Sequence, residues 1–363
     1  MKIWLKSLIT LMAIGAIAAC GGEKSSSGEI AEQKQYKWKL VTSWPKNFPG
    51  LGTAPENFAK LVNDMSNGRL SIKVYGAGEI VPGFEVFDAV SQGTAQMGHA
   101  GAYYWKGKMP ASPIFTALPF GLNAQETNGW LHYGGGIELW RELYKPFGVI
   151  PFAGGNTGVQ SAGWFKKEIK TVDDLKGLKI RIPGLGGEVM KKLGAVPVAL
   201  TGGELFTSLQ SGAIDATEWV GPYNDLAFGF YKVTDHYYAS GWHEPGAMLE
   251  FTVNEKAFNE LPKDLQTIIE VATRAVNQDM LDEYTARNQT ALETLKNKHG
   301  IEAKTLPPEV MKALKQASEE VIAEQIAADP TFAKIMKSYS AFQQKVAAYH
   351  KISEVEYYNN REL

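Results

Sequence analysis

Residues 178–225, LKIRIPGLGGEVMKKLGAVPVALTGGELFTSLQSGAIDATEWVGPYND, decide the fold. Positions 179–183 alternate, 187–193 have helical spacing, 196–200 are apolar and β-branched, 204–211 are helical again, and 216–220 form a third apolar run. Strands alternating with short helices predict a parallel sheet with crossover helices, the signature of an α/β fold. Ligands of such sheets sit beyond the carboxyl ends of the strands. This stretch places Arg181 in its first strand and Glu218 and Trp219 at the end of its third.

Part of the stretch has an echo. EVFDAVSQG at 85–93 matches ELFTSLQSG at 204–212 in length, apolar spacing and terminal glycine, at an offset of 119 residues (204 − 85). Each copy follows a strand and a loop and leads into a short strand. The first runs into His99 and then Tyr103-Tyr104, the second into Glu218-Trp219. Two similar α/β lobes facing each other across a cleft follow from this. The alternative is chance similarity between two amphipathic helices, and the matching flanks weigh against it.

Working outward, 36–43 read as a strand closed by Trp44-Pro45, 55–65 as a helix and 70–75 as a strand. A helical segment at 127–144 is interrupted by Gly134-Gly135-Gly136. The run 148–154 predicts a strand crossing between lobes, continued by 156–165 with Gln160 midway. Residues 171–175 carry an N-cap residue followed by acids, fit for a short helix. On the other side, 250–254 predict a strand returning to the first lobe. Residues 262–298 have no internal Gly or Pro and predict one very long helix, ended by Gly300. At about 1.5 Å per residue it reaches along both lobes. Helices at 307–327 and 330–349 follow. The tail carries Tyr349, Ile352, Val355, Tyr357 and Tyr358, which is unusually apolar for a terminus and predicts packing on another surface.

The N-terminus reads as a targeting signal. Lys2 and Lys6 precede an apolar run, 8–19, too short to span a membrane stably. Ile17-Ala18-Ala19-Cys20 resembles a bacterial lipobox, with Cys20 as the acylated residue; an ordinary signal peptide with an incidental cysteine is the alternative. Cys20 is the only cysteine, so no internal disulfide is possible. Residues 21–34, rich in Gly, Ser, Glu and Lys, read as a flexible tether. The composition, 44% hydrophobic and 21% charged, excludes disorder and a membrane bundle. A formal charge of −2 with scattered Lys and Arg argues against nucleic acid as partner.

The chemistry centres on a few side chains. Alternation puts Arg181 opposite Ile180 and Ile182, where its planar fork fits a carboxylate; a surface arginine paired to a nearby acid fits the strand equally well. Glu218 in an apolar strand is costly unless paired or metal-bound, and the alternative is an exposed edge carboxylate. Trp242-His243-Glu244-Pro245-Gly246 is a second aromatic–acid cluster in a loop. The six histidines show no ligand spacing, so soft transition-metal chemistry is not expected. Carboxylates with amide oxygens suit a hard cation, sodium or calcium. Gly184-Leu185-Gly186-Gly187 fits neither nucleotide-loop pattern, and no nucleophile motif occurs. The stretch reads as a site for a small anion held together with a cation.

These residues carry a family resemblance. KGLKIRIPG, then GAVPV, then GELFTSLQSGAIDATEWVGP resemble the extracytoplasmic solute receptors of tripartite ATP-independent periplasmic (TRAP) transporters, most closely the subgroup that binds 2-oxo acids such as pyruvate or 2-hydroxy acids such as lactate. The resemblance runs from VTSWP at 41–45 through the long helix. It implies a two-lobed, type II-like periplasmic-binding-protein fold braced by one long helix. It implies that Arg181 grips the substrate carboxylate and that Gln160, Glu218, Glu244 and the Trp219 carbonyl hold a sodium or calcium ion bridging to substrate. Gln160 and Trp219 then also contact substrate, and Tyr103 and Tyr104 are the first-lobe candidates. The implied division is a lipoprotein signal peptide at 1–19, a tether at 20–35, a first lobe of 36–157 plus 247–285, a second of 158–246 plus 286–330, and a C-terminal helix and tail, 331–363, in a homodimer contact. The expected protein is a periplasmic, lipid-anchored receptor that hands its ligand to TRAP permease subunits and catalyses nothing. A cation-dependent enzyme acting on oxo acids and a structural lipoprotein are the rivals.

Overall fold

The computed structural model describes residues 34–361, so the signal peptide, Cys20 and nearly all of the tether lie outside the described residues. The strands are β1 (Tyr36–Thr42), β2 (Leu70–Tyr75), β3 (Met97–Ala100), β4 (Val149–Asn156), β5 (Gly163–Phe165), β6 (Lys179–Arg181), β7 (Val196–Val198), β8 (Ala216–Thr217), β9 (His236–Tyr238), β10 (Met248–Asn254) and β11 (Ala303–Lys304). They form a five-stranded sheet, β2-β1-β3-β10-β4, and a six-stranded sheet, β11-β9-β5-β8-β6-β7. Each is the centre of one lobe of an α/β fold.

The sheets repeat one plan. In the first, β1 runs parallel to β2 and β3, and β10 pairs antiparallel to β3. In the second, β6 runs parallel to β7 and β8, and β5 pairs antiparallel to β8. Register agrees as well: Leu40 faces Met97 and Ile180 faces Ala216. Both echoed segments form a 3-10 turn followed by a short helix, Val86–Ser91 and Leu205–Ser211. Each copy's terminal glycine, Gly93 and Gly212, takes a positive φ.

Two segments cross between lobes, 157–162 outward and 239–247 back. The expected continuous strand through 156–165 is not formed. The chain leaves β4, bonds to the returning segment through Thr157 N to Ala247 O (3.2 Å) and Gln160 N to Glu244 O (3.1 Å), and re-enters a sheet at β5. A helix of 37 residues, Lys263–His299, crosses a third time and ends at Gly300 in the left-handed region, which satisfies its last carbonyls. It buries Leu265, Ile269, Val276, Met280 and Tyr284 at helical spacing. It packs directly on the β4 backbone at Gly155, where an added Cβ would lie 2.4 Å from the Met280 sulfur. Against the second lobe, Tyr284 donates to Asn224 Oδ1 at 2.8 Å.

The helix Pro330–Ile352 corrects one expectation. Phe332, Ile335, Met336 and Tyr339 are buried in the chain's own core, so residues 331–363 are not wholly a partner contact. The exposed apolar run begins only at Tyr349 and includes Ile352, 76% exposed, and Tyr357, 63% exposed. Among the described residues no helix is long and apolar enough to cross a membrane.

Candidate functional site

Arg181 is the last residue of β6 and is 2% exposed. Its Nε donates to Leu200 O at 3.2 Å, and its Nη1 donates to the Glu218 carbonyl at 3.3 Å and to Glu218 Oε1. Its Nη2 lies 3.4 Å from the Tyr104 hydroxyl, contributed by the other lobe. The Trp219 ring lies beneath the guanidinium, 5.0 Å from its carbon. The free fork expected for a ligand carboxylate is therefore largely engaged. Physically, a buried Glu218 needs a countercharge, and in this structure Arg181 supplies it.

Glu218 follows β8 and is fully buried; its second oxygen lies 3.3 Å from His243 Nε2. Glu244 lies on the returning crossing and accepts from Gln160 Nε2 at 2.8 Å. Gln160 lies on the outgoing crossing, where its carbonyl receives Gly241 N at 2.8 Å. Donor atoms of Glu218, His243 and Glu244 lie within 4.8 Å of one another. Burial, then the Glu218 charge, push the Glu244 carboxyl well above the usual range, while Arg181 opposes the shift. Gln160 Oε1, Trp219 Nε1 and His243 Nδ1 are buried without a partner. Two acids against one guanidinium, beside an unpaired amide oxygen, fit a hard cation.

A small cavity of about 10 Å³ is walled by Trp44, Leu51, Tyr103, Tyr104, Gln160, Arg181 and Trp219. It has room for about one water molecule, and Tyr104 of the first lobe meets Arg181 of the second beside it. On the outer side of Tyr103, Tyr104 and Arg181 lies a second cavity of about 250 Å³, reaching Phe84, Lys106 and Val198. Burial raises the hydroxyl pKa of both Tyr103 and Tyr104, so both remain donors. A further cavity of about 480 Å³, beside Arg141, Lys145 and Glu255, holds none of the site residues.

All the expected site residues, Arg181, Gln160, Glu218, Trp219, Glu244, Tyr103 and Tyr104, meet in this one place. Gly184-Leu185-Gly186-Gly187, which fits neither nucleotide-loop pattern, opens the helix Gly184–Lys192. An added Cβ at Gly186 would lie 2.9 Å from Ile182 and 3.1 Å from His243, so glycine permits close packing behind the site. His243, which has no ligand spacing with the other histidines in the sequence, meets Glu218 Oε2 at 3.3 Å. Trp44, read only as a strand terminator, forms a wall. His99 supports that wall, and the 119-residue offset, which aligns His99 with Glu218, was the available signal.

Residues 40–329 match the family model described as bacterial extracellular solute-binding protein, family 7. A monocarboxylate 2-oxoacid-binding periplasmic protein of Nostoc sp. is 44% identical over 344 residues, 95% of this chain and 94% of that protein. A TRAP periplasmic solute binding protein from Pseudoalteromonas atlantica, solved with bound sodium and pyruvate, is 45% identical with a TM-score of 0.88, over 90% of this chain and 99% of that one. Another, from Colwellia psychrerythraea with bound calcium and pyruvate, is 46% identical with a TM-score of 0.88, over 90% of this chain and 100% of that one.

Proposed function

The chain belongs to family 7 of the bacterial extracellular solute-binding proteins, and we propose that it is the TRAP-transporter receptor that captures a short 2-oxo monocarboxylate of the pyruvate kind and delivers it to the membrane permease. One observation carries this reading. Arg181 and Gln160 line one small cavity, and the buried acids Glu218 and Glu244 bond to them there. An anion alone would be repelled by two acids. Gln160 Oε1, the two carboxylates and the Trp219 carbonyl are hard donors that would hold sodium or calcium. Such a cation supplies the charge that lets the acids and a ligand carboxylate coexist. The sodium and calcium bound with pyruvate in the two similar structures support the same choice.

Arg181 provides the other half of recognition. Its Nη2 edge and the Tyr104 hydroxyl face the ligand space from opposite lobes. Arg181 has two charges to serve, Glu218 and the ligand, and it serves the ligand fully once Glu218 is neutralised otherwise. Gln160 and Glu244 sit on the two crossing segments, so occupancy of the site is felt where the lobes hinge. Binding energy then favours the closed form, which is the form a permease distinguishes. We place the lobe boundaries at these crossings. The lipobox-like Ile17-Ala18-Ala19-Cys20 supports a lipid anchor at Cys20, and the exposed tail from Tyr349 onward supports a homodimer.

Native mass spectrometry of the purified protein tests the reading, with product analysis after incubation with pyruvate. A co-purified 2-oxo acid and cation, with pyruvate recovered unchanged, is the expected result. Turnover of pyruvate, or failure to bind it, contradicts the proposal.

A further inference from the structure

The first lobe contributes an uncharged wall to the site, and its construction is specific. Trp44 is 2% exposed and lines the same cavity as Arg181 and Gln160. Its indole Nε1 donates to His99 Nδ1 at 2.8 Å. His99 is fully buried on β3, and its Nε2 lies 2.9 Å from the Gly154 carbonyl of β4. A carbonyl only accepts, so Nε2 carries the proton and Nδ1 is free to accept from the indole. The ring is held neutral in one tautomer. Burial, which pushes its pKa down to about 4, acts in the same direction.

Trp44 is fixed at its other end too. Its carbonyl accepts from Thr42 Oγ1 at 2.9 Å and from Ala77 N at 2.8 Å. Its ring meets Trp219 edge-on at 6.1 Å, and Trp219 underlies Arg181. The repeat of the two lobes sharpens the point. Met97 and Ala216 hold matching register against β1 and β6, and two positions further along lie His99, still within β3, and Glu218, just past β8. The second lobe puts a carboxylate of the site there. The first puts a neutral histidine there, one step behind the wall.

We propose that Trp44 sets the size and polarity limit for the substituent on the ligand's C2 carbon, and that His99 is its positioning residue. This rests on the receptor reading above. With the carboxylate at Arg181 and the 2-oxo oxygen toward Gln160 and the acids, the remaining substituent faces Trp44 and Leu51. The indole N–H is consumed by His99 and offers no donor to the ligand. The wall accepts a short apolar substituent such as methyl, resists a branched one, and leaves a second carboxylate without a partner.

The test is a selectivity profile, measured by titration calorimetry in the presence of sodium or calcium. Pyruvate, 2-oxobutyrate, 2-oxo-3-methylbutanoate and 2-oxoglutarate are compared on the wild type, Trp44→Phe, His99→Leu and the double variant. Wild type should favour pyruvate. Trp44→Phe and His99→Leu should each raise the affinity ratio of the branched acid to pyruvate by about tenfold, the scale of one or two methylenes in an apolar pocket. The double variant should match Trp44→Phe, because His99 acts through Trp44. Should His99→Leu fail to fold, Trp44→Phe still decides the limit, and His99→Gln, which keeps an acceptor for the indole, should retain the wild-type ratio. A merely structural role would lower all affinities together and leave the ratios alone. A wild type that binds pyruvate, with folded variants at unchanged ratios, overturns the role of Trp44 and His99. A wild type that binds none of the acids overturns the receptor reading itself.

Discussion

Arg181, the last residue of β6, and Glu218, just after the adjacent parallel strand β8, neutralise each other in a contact where both side chains are 3% exposed or less. The pair occupies the place where a ligand carboxylate is expected to be gripped. Each residue thus has a partner in this structure, and on the proposed reading Arg181 turns to the ligand while Glu218 turns to the cation.

Arg181→Lys should weaken pyruvate binding although the charge is kept. The guanidinium reaches Leu200, Glu218 and Tyr104 at once, and a point ammonium cannot. A charge-assisted hydrogen bond contributes roughly 1.5–3 kcal/mol, so a loss of about tenfold to a hundredfold is expected by calorimetry. Affinity equal to wild type would remove Arg181 from the site.

Glu218→Gln should also weaken binding, even though Glu218 has the same charge sign as the ligand. The loss comes from the cation, and excess sodium or calcium should recover part of it. Tighter binding in this variant would mean that Arg181 acts alone.

The ligand-free protein should lose stability as pH rises from about 5 to 8. Burial raises Asp225 and Glu250 to about 8, and Glu244 is raised as well. A carboxyl whose pKa is higher folded than unfolded stabilises the fold while protonated and loses that contribution as pH climbs through the folded value. Each such group contributes at most about 1.4 kcal/mol per pH unit. Glu250 accepts from Trp105 Nε1 at 2.5 Å and Tyr144 at 2.8 Å, so Glu250→Gln keeps an acceptor there and should flatten the fall. Melting temperatures across this range decide it; an unchanged slope in the variant contradicts the assignment.

Deleting residues 349–363 should convert a dimer to monomers without unfolding the chain, because Tyr349, Tyr357 and Tyr358 are exposed while Phe332 to Tyr339 stay in the core. Sedimentation at micromolar concentration reads the state. A full-length chain that is already monomeric removes the proposed contact.

Much of this site was legible from local pattern. The alternation around Arg181, the glycine-ended helices at constant offset and the uninterrupted 262–298 run are short-range signals, and each became the expected element. What escaped depends on distant partners. Gln160 leaves the strand because its backbone pairs with Glu244 and Gly241, contacts that no local period reports. Gly184-Leu185-Gly186-Gly187 has poor helix propensity, yet it packs a helix start tightly behind Ile182 and His243. His99 and Trp44 are 55 residues apart, and only the fold joins them.

On the proposed reading a cation and Arg181 together hold a 2-oxo acid. Calorimetric titration of pyruvate into exhaustively metal-stripped protein, then into the same sample with sodium or calcium restored, tests it most directly. A parallel arm titrates the cation alone. Pyruvate binding should be weak or absent without metal and restored with it, and cation binding should be measurable in the absence of pyruvate and reduced by both Glu218→Gln and Glu244→Gln. Equal pyruvate affinity with and without metal would contradict it.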